Sequence, residues 1–268
     1  MLYALIGILI AGIGLLLYGW WDTHRFDVRR VEIELNRLPQ AFDGFTILQV
    51  SDLHNQAYGK DGRALERAAQ GLSCHIIAIT GDMLDRHLPQ KRENSYHFAR
   101  EATKVAPTYF IQGNHEWRMG DWPGIKAELT QHGVRVLDGE RVTLSRENAC
   151  LDLIGAMETA SVEEIKPLVS TDTCSILLAH HPERLRDYAQ TGVDLVLSGH
   201  AHGGQVRLFG QGLYSPGQGV LPRYTSGVYR CENTILYVSR GAGNHSFLPP
   251  RIFNRPEIDL ITLKAPSR

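Results

Sequence analysis

Five short apolar runs of this chain, each rich in β-branched or aromatic residues, end in the same way: in a cluster of Asp, Asn or His. "FTILQV" runs into "SDLHN", "HIIAIT" into "GDMLDR", "TYFIQ" into "GNHEW", "SILLA" into "HHPE" and "DLVLS" into "GHAHGGQ". A sixth run, "ILYVS", leads into "RGAG". Runs of this length, separated by amphipathic stretches, are the pattern of buried strands alternating with helices, and an α/β fold is expected. In open α/β sheets ligands bind beyond the carboxyl ends of the strands. Five strand ends carrying oxygen and imidazole donors therefore predict one polar site at one edge of the fold.

Between the strands, "DGRALERAAQGL", "NSYHFAREATKV" and "DWPGIKAELTQHG" are expected to be helices, the last with Pro123 near its start and Gly133 at its close. "SVEEIKPLV" opens with Ser161 and Glu164 at capping-box spacing. Beyond Gly204, "RLFGQGLYSPGQGVLPRYTSGVY" is dense in Gly, Pro and Tyr and is expected to form a long hairpin or surface loop beside the site. At 268 residues the chain can bury a sizeable core. Its 28 basic and 29 acidic side chains nearly cancel and form no long basic run, so no specific nucleic-acid partner is indicated. Cys74, Cys150, Cys174 and Cys231 form no CxxC pair, which speaks against a zinc knuckle or a redox dithiol and favours buried thiols over two disulfides.

The donors are Asp52 and His54 at the first strand end, Asp82 at the second, Asn114 with His115 at the third, His180 at the fourth, and His200 with His202 at the fifth. Residues at i and i+2 of an extended backbone point the same way, so the rings of His200 and His202 are expected to converge on one point. Leaving His115 aside, the seven oxygen and imidazole donors, with no thiolate among them, suit divalent ions such as Mn²⁺, Zn²⁺ or Fe²⁺. Seven are too many for one tetrahedral ion. Two ions sharing a carboxylate would use them all, and a pair about 3.5–4 Å apart is a known device for hydrolysing phosphate esters. Each fragment alone also reads as a simple turn; their joint occurrence is what favours a metal centre.

The ordered set Asp52-x-His54, Gly81-Asp82-x-x-Asp85, Gly113-Asn114-His115-Glu116, His180 and Gly199-His200-x-His202 resembles the calcineurin-like metallophosphoesterase superfamily. The wording "LLAHHPE", "GHAHGGQVRL" and "SRGAG", behind an apolar N-terminus, is similar to the bacterial membrane-associated phosphodiesterase branch of that family. The resemblance implies a two-sheet αββα sandwich and a dinuclear metal-dependent phosphoester hydrolase, a phosphodiesterase or pyrophosphohydrolase that uses a metal-bridging hydroxide as nucleophile. By motif, Asp52, His54 and His202 correspond to ligands of one ion, Asp82 to the carboxylate shared by both, and Asn114, His180 and His200 to ligands of the other. His115 corresponds to the proton donor to the leaving group and Asp85 to the acid that orients it, an arrangement that supports the imidazolium form. A helix N-cap is the alternative role for Asp85.

His181 should point away from His180 and stand outside the ligand set, and Arg86 is open between a phosphate contact and a surface ion pair. Gly203 and Gly204, with Gly241 and Gly243, are expected to let backbone and substrate approach the ions, with Asn244 and His245 at the rim. His24, His75, His87, His97 and His132 fall outside any motif and are expected to be surface or packing residues.

The stretch "MLYALIGILIAGIGLLLYGWW" carries no charged side chain before Asp22 and ends in Tyr18, Trp20 and Trp21. It is long enough to cross a bilayer, with aromatics where an interfacial belt would fall. A cleaved signal peptide would call for a basic n-region and a small-residue cleavage site, and neither is present. The expected organisation is a transmembrane anchor over 1–21, a juxtamembrane linker and first strand over 22–41, and the metallophosphoesterase domain over 42–268, in a single-pass cell-membrane protein. Arg25, Arg29, Arg30 and Arg37 follow the apolar stretch, which leans the topology towards a cytoplasmic catalytic domain, an exported one being the alternative.

Metallo-amidohydrolases and metallo-β-lactamases also use HxH pairs, but early in the domain; here HxH comes late and continues into two glycines. A membrane-tethered metal-binding interaction module without turnover should have lost ligands, and none of them is missing. The substrate is set by loops whose sequences follow no code. The anchor favours a lipid-linked phosphoester. Part of the branch hydrolyses UDP-2,3-diacylglucosamine and other members act as general phosphodiesterases, and "LPQKREN" and "SFLPPRIFNR" are candidate walls of a substrate groove.

Overall fold

The computed structural model describes residues 1–244 and 250–267. The strands in chain order are β1 (Asp27–Glu34), β2 (Thr46–Val50), β3 (Ile76–Ile79), β4 (Thr108–Phe110), β5 (Arg135–Val136), β6 (Glu140–Arg146), β7 (Ala149–Gly155) and β8 (Cys174–Leu178). They continue as β9 (Leu195–Ser198), β10 (Arg207–Leu208), β11 (Gln211–Gly212), β12 (Tyr214–Ser215), β13 (Gly219–Val220), β14 (Gly227–Cys231), β15 (Thr234–Val238) and β16 (Glu257–Lys264). The helices are α1 (Leu2–Thr23), α2 (Ala64–Gln70), α3 (Arg92–Ala102), α4 (Asn114–Arg118), α5 (Trp122–Gln131), α6 (Val162–Ile165) and α7 (Leu185–Thr191).

Two six-stranded sheets form the centre, in the orders β1-β16-β2-β3-β4-β5 and β14-β15-β9-β8-β7-β6. Strands β2 to β5 run parallel in the first sheet, and β7, β8, β9 and β15 run parallel in the second. Their central strands are buried on both faces, which is why they read as unbroken apolar runs. Alternate side chains serve different layers. Ile47, Ile76, Ala78, Ile176, Leu178 and Leu195 fill the core between the sheets. Leu48, Ile77 and Ile79 face Leu65, Phe98 and Leu129 of α2, α3 and α5, while Leu177 and Val196 face Leu185 and Tyr188 of α7. The result is the expected αββα sandwich.

The expected helices form, each shorter than its pattern, and the Ser161 box closes reciprocally, with Glu164 N donating to Ser161 Oγ and Ser161 N to Glu164 Oε2. The stretch after Gly204 is two short hairpins, β10–β11 and β12–β13. Strands β6, β7, β14 and β16 and helix α7 were not anticipated; β6 pairs antiparallel with β7 across a turn in which Glu147 adopts φ 53°. Strand β1 pairs with β16 over its whole length. The cysteines are all free thiols, and only Cys174 is buried: Cys74 lies in a loop, Cys231 on edge strand β14, and Cys150 at the start of β7 beside the β6–β7 turn.

Helix α1 stands out from the sandwich with its apolar side chains exposed. Among the described residues, its contacts with the domain come from its last turns. Gly19 permits a close approach, since a Cβ there would stand 2.9 Å from Ile252 Cγ1. Thr23 Oγ1 accepts from Arg251 N (2.8 Å), and Asp22 pairs with Arg255 (2.8 Å).

Candidate active site

Every residue of the expected donor set lies where a central strand ends, and all are buried. The backbone does not arrive there extended. Asp52, His54, Asp82, His200 and His202 have φ between 48° and 64°, the left-handed region that non-glycine residues rarely occupy. Such conformations cost about 1–3 kcal/mol each and persist only where surrounding contacts impose them. Here the loops lock together: Asp52 N donates to Gly81 O, His54 N to Asp82 O and Asn55 N to Met83 O, at 3.0–3.1 Å.

This geometry corrects the reading of the HxH pair. Because His200 and His202 both turn through positive φ, their rings separate into two groups. His202 joins Asp52 and His54, and His200 joins Asp82 and His180; within each group the ligand atoms lie within 4.8 Å of one another. In the first, His54 Nε2 is 3.2 Å from His202 Nε2, and His202 Nε2 is 3.5 Å from Asp52 Oδ1. In the second, His180 Nε2 is 3.2 Å from Asp82 Oδ2.

Asp82 Oδ2 belongs to both neighbourhoods, since His54 Nε2 also approaches it, at 3.9 Å. Its partner oxygen Oδ1 is occupied, accepting from His115 N at 2.7 Å. Both oxygens of Asp52 accept from His200 N at 3.0 Å. His180 Nδ1 lies 2.8 Å from Thr80 O, which makes Nδ1 the donor and Nε2 the atom facing Asp82, a lone pair there when the ring is neutral. The Asn114 carboxamide oxygen faces Asp82 Oδ2 (3.2 Å) and His200 Nδ1 (2.8 Å), so acceptor faces acceptor unless the amide is turned over. A cation among these atoms removes the conflict without turning it. The donor set, the shared carboxylate and the paired lone-pair atoms fit two divalent ions.

Burial, reinforced by neighbouring imidazoles, pushes the rings of His200 and His202 well below the ordinary histidine range and keeps them neutral, as ligation requires. At His180 burial also opposes charge, but the Asp82 carboxylate outweighs it and lifts the ring well above that range, so this pair holds a proton where a cation would sit.

His115 lies beside these groups on the short helix α4, with its ring 4.6 Å from that of His54. Its Nδ1 is 3.5 Å from Asp85 Oδ1 and 3.2 Å from Arg86 N. The neutral ring can accept from Arg86 N; the imidazolium turns the same nitrogen into a donor facing Asp85. Burial lowers the affinity of this ring for a proton, yet Asp85 and Asp82 more than compensate and hold it above the ordinary value. Asp85 Oδ1 also accepts from His87 N at 2.9 Å, so the N-cap alternative is replaced by a tight turn at 85–87.

Several neighbours were misread or missed. His87 stands next to the site, 5.9 Å ring to ring from His115. His181 turns away from His180, as expected, but its nitrogens reach Glu183 Oε1 (2.9 Å) and Glu158 Oε1 (2.7 Å), and it forms a further donor group with Glu183 and His200; His54, Asp85 and His115 form another. Glu116 binds Asp82 N, Leu84 N and Gly113 N, joining two of the loops. Gly203 and Gly204 serve loop packing and leave substrate approach to others: a Cβ on the first would strike Asn254 Oδ1, and on the second Gly212 Cα. Arg251, fully buried, contacts His202 Nδ1 at 3.0 Å, and Asn254 donates to His202 O. Only the Pro-Arg-rich segment hinted at these two.

The cleft above the clusters is walled by Arg118, His181, Pro216 and Gly217, so the β12–β13 hairpin lies beside the site as expected. "LPQKREN" supports the Asn55 loop, Leu88 O accepting from Asn55 Nδ2 at 3.0 Å, and does not line this cleft. His245 and the start of "SFLPPRIFNR" lie outside the described residues, while Asn244 accepts from Gln205 Nε2 at 2.9 Å.

The sequence profile of the calcineurin-like phosphoesterase family matches residues 45–204. The chain is 30% identical to the uncharacterized metallophosphoesterase YkuE of Bacillus subtilis over 97% of its own length and 93% of that protein. It is 28% identical to the transmembrane protein with metallophosphoesterase domain of Bos taurus over 89% of its length, but spans only 57% of that protein. Among solved structures, the sulfate thiohydrolase SoxB of Thermus thermophilus aligns with a TM-score of 0.51 at 14% identity, covering 85% of this chain and 57% of that one, a likeness of fold alone. The profile spans the loops that carry both buried Asp/His clusters and the full-length relative extends beyond them, so this chain belongs to the calcineurin-like metallophosphoesterase family and is a hydrolase.

Proposed function

We propose that this chain is a membrane-anchored phosphodiesterase or pyrophosphohydrolase with a dinuclear centre. The observation that carries the reading is the convergence of His180, His54 and Asn114 on the single oxygen Asp82 Oδ2, with its partner oxygen tied to a backbone amide. Asp52, His54 and His202 would hold one ion, Asn114, His180 and His200 the other, and Asp82 both. Two divalent ions in such a site supply an acidified water and neutralise charge on the phosphoryl oxygens.

The protein groups do the rest. The His200 amide fixes Asp52, the Thr80 carbonyl fixes the His180 tautomer, and Glu116 holds the loop that presents Asp82. His115, kept protonated by Asp85 and Asp82, delivers a proton to the departing alkoxide. Arg118, exposed at the cleft mouth, meets an anionic substrate. Helix α1 has the length and composition of a membrane span, and the basic residues after it favour a cytoplasmic domain. A lipid-linked phosphoester is the substrate class this placement favours, and Mn²⁺ is the first metal to supply among Mn²⁺, Zn²⁺ and Fe²⁺.

The test is hydrolysis of bis-p-nitrophenyl phosphate and p-nitrophenyl phosphate by the full chain, stripped of metal and then resupplied with Mn²⁺. Restored turnover favouring the diester supports the proposal. Turnover that persists without metal would overturn it. Metal binding with no turnover on either ester or on a lipid pyrophosphate would leave a tethered binding module.

A further inference from the structure

We propose that the tip of the β10–β11 hairpin and Phe253 form a second bilayer-contacting patch beside α1, seated among the headgroups of an anionic phospholipid membrane. The proposal rests on the reading of α1 as a membrane anchor. Leu208, Phe209 and Phe253 are exposed, Phe209 completely so. With Gly210 and the side chains of Arg207 and Arg240 they line one shallow hollow.

The hollow is continuous with the helix. The Phe253 ring lies 5.2 Å from that of Tyr18, and Arg207 N donates to Ile252 O at 3.0 Å. A helix of 22 residues rises about 33 Å, close to the thickness of a hydrocarbon core, so Tyr18 falls at the interfacial level and Phe253 beside it. Arg25 covers the Trp21 ring at 4.4 Å and adds a cation at the same height.

Backbone conformation adds an independent observation. Phe209 and Gly210 both have positive φ, 51° and 84°, at the tip of a two-residue hairpin, and Phe253 has φ 54°. Such turns favour Asn-Gly or Gly at these positions because a bulky side chain is disfavoured there. A phenylalanine that occupies such a turn and projects its whole ring outward gains nothing from water. Within a lipid interface the ring is buried.

The charges fit the same partner. Arg240 Nε is 3.3 Å from Glu257, while Arg207 is held by the carbonyls of Gly203 (2.7 Å) and Gly210 and by Thr225 Oγ1 (3.2 Å), with no carboxylate in ion-pair range among the described residues. A guanidinium without a counter-charge in the lining of an apolar hollow suits a phospholipid phosphate. Pro216 and Gly217 of the adjoining hairpin wall the cleft, so this placement sets the cleft mouth close to the headgroups.

The experiment uses the full chain reconstituted into mixed phosphatidylcholine and phosphatidylglycerol vesicles. A nitrobenzoxadiazole label is placed at Phe209→Cys in a Cys150→Ser background, and at native Cys150, exposed on the outer β6–β7 hairpin, as the water-facing reference. Quenching by a nitroxide near the lipid headgroup is expected to be at least about threefold stronger at 209 than at 150, with iodide quenching reduced in proportion. Phe253→Cys repeats the measurement should the first variant misfold. Alkaline-washed vesicles are floated in parallel. A chain that does not float overturns the anchor, and the patch with it. A chain that floats with position 209 as open to iodide as position 150 overturns the patch alone. Protection from both quenchers overturns it as well, pointing to a second copy or another protein over this surface.

Discussion

The dinuclear centre and helix α1 are inversions of each other. At the centre, Asp52, Asp85 and Asp82 are at most 2% exposed, and the buried histidines His54, His115, His180, His200 and His202 share that interior. Along α1, Leu2, Ile8, Leu9 and Ile10 are each more than 60% exposed. Carboxylates and imidazoles are seldom fully buried unless something compensates their charge, and a continuous apolar surface is seldom left in water. Each region calls for a partner of definite chemistry: a cation for the first and, in the proposed reading, hydrocarbon for the second.

Breaking the first half of that comparison should have the largest effect. Asp82→Asn removes the oxygen on which both clusters converge, and turnover of bis-p-nitrophenyl phosphate should fall at least about ten-thousandfold, with bound metal reduced and melting still cooperative. Full metal content in that variant would argue against a shared carboxylate.

The second half is broken by Leu9→Lys with Ile13→Lys. Each lysine near the middle of a spanning helix opposes insertion by about 2.5–3.5 kcal/mol. Most of the chain should leave the floating fraction, while hydrolysis of a soluble diester stays within about twofold. A doubly substituted chain that still floats would mean that α1 is not the anchor.

His115→Ala sharpens the comparison inside the centre, since this ring is proposed to move a proton and hold no ion. An alkyl phosphodiester should slow by about a hundredfold to a thousandfold, and a p-nitrophenyl ester, whose leaving group departs unaided, by much less. Equal losses on the two substrates would remove the acid role.

The smallest effect concerns a buried acid that belongs to neither region. Burial, then Glu257, pushes Asp259 up to about 8 from an ordinary 3.8, and Tyr237 Oη donates to it at 2.6 Å. Between those values the folded chain keeps a proton that the unfolded chain has released. Its contribution to stability is therefore complete below about pH 4 and is lost as pH rises through about 8. Asp259→Asn should flatten this slope, so that the melting temperature of the variant gains on the native chain by a few degrees from about pH 5 to about pH 9. A difference that stays constant with pH would show that Asp259 does not titrate in this window.

Much of the fold was legible because central parallel strands bury both faces and so advertise themselves as apolar runs, as "HIIAIT" and "DLVLS" do. Strands away from the sheet centres gave a weaker signal: edge strand β6 alternates exposed and half-buried residues, and β16, between β1 and β2, interrupts its apolar run with Glu257, Asp259 and Thr262. The donor residues were legible for a chemical reason, since few tasks other than ion binding gather Asp, Asn and His at successive strand ends. Arg251 and Asn254 were not, because each reaches His202 from a segment distant in sequence and carries no pattern of its own; Glu116 stood in the Gly-Asn-His-Glu motif, but its tie to the Asp82 loop is tertiary.

By itself the sequence determined the α/β alternation of buried strands and helices, the identity of the donors and the presence of a long apolar helix, because periodicity and residue chemistry are local properties of a chain; the two-sheet sandwich was implied by the family resemblance. The ordered motifs assign His202 and His200 to different ions by resemblance; tertiary structure decided the backbone that separates their rings, with φ 64° at His200 and 48° at His202 held by hydrogen bonds between loops far apart in sequence. The meeting of Phe209, Phe253 and Tyr18 is likewise tertiary. No local periodicity encodes these geometries, since both follow from how distant segments pack.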